Sequence, residues 1–180
     1  MTYMILGLLI MASVHFIYEG ILAPSFRLKL RFELFSLRDE LRQLKIDCAQ
    51  SLSDKHFDYL QDSLNGLIAV LHRYDAGTLA AVEHELRTNP ELRADIEARV
   101  RILDDCNIPR ARTIRNRSLW IAGKALATNN GAWFCYLLPL ALPLFFVSRL
   151  KKLIRASLSL SEPDLNKVAP FAEQRAATPR

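Results

Sequence analysis

Residues 3–23 read YMILGLLIMASVHFIYEGILA. The rest of the architecture depends on whether this run enters a membrane. About 21 residues with one formal charge, Glu19, form a helix of roughly 30 Å, the thickness of a bilayer hydrocarbon core. A cleaved leader starts with positive charge and ends at a small-residue cleavage site. Here MTY carries no Lys or Arg and no A-x-A-like site follows, so residues 1–23 read as a retained transmembrane helix. Basic residues come after it, at Arg27, Lys29 and Arg31. By the positive-inside rule the chain from residue 24 onward is then cytoplasmic.

The chain of 180 residues is 51% hydrophobic and 24% charged, and the two kinds are segregated. A second apolar block, AWFCYLLPLALPLFFVS at 132–148, is uncharged and at the short end of the spanning range. Arg110, Arg112, Arg115 and Arg117 precede it; Arg149, Lys151, Lys152 and Arg155 follow it. The reading is a second span, Pro-kinked at Pro139 and Pro143, against the alternative that the block dips in and returns to the cytoplasm. Between the blocks, residues 46–105 hold 12 acidic and 6 basic side chains, whereas 106–124 hold five basic and no acidic ones. The basic flanks are assigned to the membrane face and the acidic middle is not.

The middle is helical by its periodicity. Leu30, Leu34, Leu37, Leu41 and Leu44 alternate spacings of four and three, as do Phe57, Leu60, Leu64, Leu67 and Leu71, which is the pattern of a coiled-coil seam. Two such seams on either side of SLSD, with Ser53 as N-cap, predict an antiparallel hairpin. DAGT breaks the chain and offers Thr78 as the next cap; TNPE offers Asn89 as a cap with Pro90 in the first turn. The last helix of this bundle runs to about Cys106 with Leu92, Ile96, Val100 and Leu103 inward. Because the two long seams need partners, they are expected to be partly intermolecular, giving a homo-oligomer. The fold class is therefore all-α: a transmembrane helix (1–23), a cytoplasmic helical bundle (24–106), a basic juxtamembrane hinge (107–131), a second membrane segment (132–148) and a basic, then disordered, tail (149–180).

Three features invite chemistry. His15, Tyr18 and Glu19 share one face of the first membrane helix, where ionisable groups are costly and face a protein or aqueous interior; they are a proton-sensing or gating pair, polar glue, or tolerated contacts near the interface. The run RARTIRNR, with Arg110, Arg112, Arg115 and Arg117, suits phosphates of lipid or nucleic acid, but its place before a membrane segment and the lack of stacking aromatics beyond Trp120 favour topology over nucleic-acid binding. In SDKHFD, Asp54, His56 and Asp58 begin a helix and do not converge, so no metal site is read there. Cys48, Cys106 and Cys135 form no C-x-x-C. No phosphate-binding loop, nucleophile elbow or zinc-protease motif is present, so neither an enzyme nor a cofactor is expected.

In this order of parts the chain resembles the two-span membrane effectors of bacterial anti-phage systems, including the membrane proteins encoded beside retron reverse transcriptases. The resemblance is one of layout over the whole chain and rests on no motif, so no site residue is carried over. It implies a toxin-like inner-membrane protein in abortive infection, held by a cytoplasmic protein or ribonucleoprotein partner until release. A membrane-anchored scaffold or regulator, docking a soluble partner through its bundle, fits the same sequence.

Overall fold

The computed structural model describes residues 1–48, 52–131 and 145–160. Among them every regular element is helical: α1 (Thr2–Ile17), a π turn (Tyr18–Leu22), α2 (Ala23–Asp47), α3 (Asp54–Val70), a 3-10 turn (Leu71–Arg73), α4 (Ala76–Thr88), α5 (Pro90–Asp104), α6 (Pro109–Asn129) and α7 (Phe145–Leu158). α1, the π turn and α2 form one continuous helix, Thr2–Asp47, of 46 residues. Its irregularity has a local cause. Pro24 has no N–H to give and its ring would collide with a carbonyl one turn back, and the helix meets it with a widened turn in which the Ala23 N–H bonds the Tyr18 carbonyl. Near its N-terminus the continuous helix is long and apolar enough to cross a membrane, and none of α1 is buried, which excludes its being a core helix of the bundle.

α2 is the spine of the bundle. Leu34, Leu37, Leu41 and Leu44 are 0% exposed, and Leu30 is buried with them. Their principal cover is α6, with α3 on the other flank. The seam is thus satisfied within one chain. That removes the ground for expecting a second copy to complete it. α6 can lie so closely along α2 because its inward positions are mostly small or β-branched: Ala111, Ile114, Ser118, Ile121, Ala122 and Ala125, with Leu126 the exception. Residues 107–131 are accordingly no hinge. They are mostly a helix of 21 residues at the centre of the fold.

The rest of the middle follows its sequence signals with small changes. Ser53 caps α3 by accepting from the His56 N–H at 3.4 Å, and Leu60, Leu64 and Leu67 are buried as the period requires, with Phe57 half-buried beside them. Asn89 caps α5 by accepting from the Leu92 N–H at 3.1 Å, with Pro90 in the first turn. The cap of α4, however, is Asp75, which accepts from the Thr78 N–H at 2.8 Å; Thr78 instead donates its hydroxyl to the Arg73 carbonyl at 2.6 Å. A carboxylate three residues earlier is the stronger acceptor for those orphan amides.

The segment after the second apolar block is also not loose. Ile154, Ser157, Leu158, Ser159 and Leu160 are buried, and α7 packs against α3, α4, α5 and α6. Tyr74, 0% exposed, donates its hydroxyl to Ser157 Oγ at 2.5 Å, and Ser157 passes the bond on to the Ile154 carbonyl at 2.9 Å. Burial pushes the Tyr74 phenol well above its ordinary range, so it is a donor at any physiological pH. Ser63 Oγ bonds the Leu158 carbonyl from α3. Pro139, Pro143 and the disordered tail expected after Ser161 lie outside the described residues.

Candidate membrane junction

The end of the bundle nearest α1 gathers the polar groups that sequence reading had scattered. Tyr18, on the π turn, reaches over the end of α6 and donates to the Thr128 carbonyl at 2.9 Å. A side chain at Gly131 would collide with the Tyr18 ring, so glycine there allows the close approach. Glu19 lies 3.8 Å from the Arg27 guanidinium, two turns further along the same continuous helix. Arg27 in turn donates Nε–H to Asn129 Oδ1 at 2.9 Å. Asn129 then donates from Nδ2 to two backbone carbonyls of the α3–α4 connection, Leu71 at 2.8 Å and Tyr74 at 2.9 Å.

The chain Glu19–Arg27–Asn129–Leu71/Tyr74 ties the long first helix to α6 and to the α3–α4 connection. Asn130 adds to it, accepting from the Ala76 N–H at 3.3 Å and donating to the Leu126 carbonyl at 2.7 Å. Its composition suits the place. Arg and Glu at the end of an apolar helix keep their charges at the polar boundary, and an amide is the one side chain that can accept from a guanidinium while donating to two carbonyls. Of the three residues expected on one membrane face, Tyr18 and Glu19 belong to this network, and His15 lies about one turn earlier on the exposed helix.

The arginine cluster goes elsewhere. Arg117 pairs with Glu40 at 2.8 Å, Arg110 with Asp47 at 3.0 Å, and Lys124 with Glu33 at 3.4 Å. Each step moves one heptad along both α2 and α6, so an acidic row on one helix faces a basic row on the other, running antiparallel. Asp47 is held below the usual carboxylate range by hydrogen bonds from Gln43 and Arg110. Arg115 pairs with Asp104 at 2.6 Å, and Arg112 donates to the Cys106 carbonyl at 2.6 Å. These guanidiniums pair α6 with its neighbours, while Arg110 and Arg117 remain about half exposed.

Compared with protein-family models, curated proteins and solved structures, the chain matches none. What the site can do rests on its geometry alone.

Among the described residues no group of three or more His, Cys, Asp or Glu side chains is placed to hold a metal ion. His56 bridges instead, bonding Ser53 Oγ at 2.6 Å and the Ile102 carbonyl at 2.8 Å. Asp54 sits 2.6 Å from Lys45, whose hydrogen bond holds that carboxyl below its ordinary value. The charge ladder was missed in the sequence, although Glu33, Glu40 and Asp47 stand at heptad spacing and so do Arg110, Arg117 and Lys124. The signal was there once the two rows were compared.

Proposed function

We propose that the chain is a membrane effector: residues 3–23 cross a bacterial inner membrane, the bundle lies on its cytoplasmic face, and both flanks of the second apolar block lie on that face, against the second crossing the sequence favours. The observation that carries this reading is the placement of the two ends around the second block. Gly131 lies against Tyr18 at the membrane end of the bundle, and α7, beginning at Phe145, runs back into the same bundle, where Ser157 bonds Tyr74. A single crossing would strand α7 on the far side. Having both flanks on one face also accounts for the basic residues on either side of the block, because both flanks are then cytoplasmic.

An anchor needs only one apolar helix. The effector reading gives the second apolar stretch, whose two flanks belong to the bundle, the task of perturbing the bilayer without any catalytic group. The scaffold reading has one observation of its own: Tyr18 and Glu19 are engaged inside the junction, as expected of a helix that only anchors. A voltage-sensitive dye separates the two readings in bacteria induced to make the full chain. The effector reading expects depolarisation that is lost when residues 132–148 are replaced by a flexible Gly-Ser stretch of equal length, with both proteins recovered in the membrane. A polarised membrane with the full chain inserted would refute it and leave the scaffold.

A further inference from the structure

Beneath the widened turn, a groove of about 390 Å³ opens between the first turns of α2 and the last turns of α6. Phe26, Leu30 and Ala127 give it an apolar side; Lys29 and Lys124 give it positive charge; and the Tyr18 and Thr128 hydroxyl-bearing side chains close its upper end. Glu33 is its one acid, 3.4 Å from Lys124. We propose that this groove is a head-group site for an anionic phospholipid, with the phosphate on Lys29 and Lys124 and the acyl chains lying upward along α1. The proposal rests on the membrane reading of residues 3–23.

The position argues for a lipid over other anions. Lys29 stands six residues beyond Ala23, about 9 Å along the helix, and helical side chains lean toward the N-terminus, here toward the bilayer, so its ammonium reaches the phosphate layer. Above the groove α1 and the π turn are apolar and uncovered, with Val14, Ile17 and Ile21 exposed, as a lipid's chains require. Phe26 is 48% exposed at the mouth, and Trp120 is 68% exposed with Lys124 over its ring at 5.9 Å, both being side chains suited to the interface. The Lys124–Glu33 contact is long for a charge-assisted bond, so Lys124 can be shared with a phosphate.

The full chain, purified in detergent, is presented with phosphatidylglycerol and phosphatidylcholine in equal amounts, and retained lipid is counted by native mass spectrometry. Wild type retains phosphatidylglycerol preferentially, Lys29→Gln/Lys124→Gln loses roughly 30-fold of that preference if each lysine contributes its usual share, and Glu33→Gln increases it. Equal preference in wild type and the double variant overturns the site, as does a Glu33→Gln protein that binds less. Displacement of the lipid by excess inorganic phosphate would assign the lysines to a free anion and equally overturn it. Flotation of the same proteins with liposomes of either composition tests the membrane reading separately: a chain that floats with neither has lost that reading, whereas one that floats with both and shows no preference has lost only the site.

Discussion

Asn129 is the side chain on which the junction turns, and replacing it gives a measurement with a signed outcome. In Asn129→Ala the Leu71 and Tyr74 carbonyls lose their donors and Arg27 loses its acceptor. Leu71 and Tyr74 are buried, so their carbonyls are poorly placed to recruit water. Orphaned buried acceptors cost about 1–3 kcal/mol, and the half-exposed Arg27 can turn to solvent, so the expected loss is about 2 kcal/mol. For a chain of this size that corresponds to a fall in Tm of roughly 4–8 °C. Asn129→Asp is the decisive variant. It strengthens the contact with Arg27 by placing a full negative charge there, yet it points carboxylate oxygens at two carbonyls where donors stood. If the carbonyl bonds matter more, Asp is at least as damaging as Ala at neutral pH and recovers as the pH falls and the carboxyl gains a proton. Thermal unfolding of the full chain in detergent, followed by far-UV circular dichroism, reads both. An Asp variant as stable as wild type would refute the assigned role of Asn129.

Two further measurements address the packing around it. Arg117→Glu and Glu40→Arg are each expected to destabilise the α2–α6 pair, with the double exchange restoring it; because these side chains are 50% and 34% exposed, the coupling in a double-mutant cycle is expected at about 0.2–1 kcal/mol and to shrink in high salt. Tyr74→Phe breaks the buried bond to Ser157, and Ser157→Ala breaks that bond and the one to the Ile154 carbonyl; leaving a partner unmatched costs about 1–3 kcal/mol, so the double variant is expected to lose no more than the worse single one. Additive losses in urea denaturation would mean that α7 does not dock as described.

The helices were legible because a three-four spacing reports burial whatever does the burying. Leu34, Leu37 and Leu41 had to be covered, and they are; that α6 covers them was hidden, since Ala111, Ser118 and Ala125 are too small to write a strong apolar stripe. The arginines illustrate the same limit from the charged side. A basic run before an apolar block has a sufficient explanation in topology, and that explanation masks the heptad match to Glu33, Glu40 and Asp47. The Tyr74–Ser157 bond joins residues 83 apart and leaves no local trace. Asn129 and Asn130 are only polar residues before an apolar segment until Arg27 and the α3–α4 connection are brought to them.

The helix from Thr2 to Asp47, 46 residues and so about 69 Å from end to end, runs from the uncovered apolar segment through the bundle without a break. It therefore works as a lever with its fulcrum at Pro24. A tilt of the first segment has two outlets in this geometry, bending at the π turn or movement of α2 against the α6 it is paired with. The Glu19–Arg27 contact spans that turn, so its removal is expected to favour bending there.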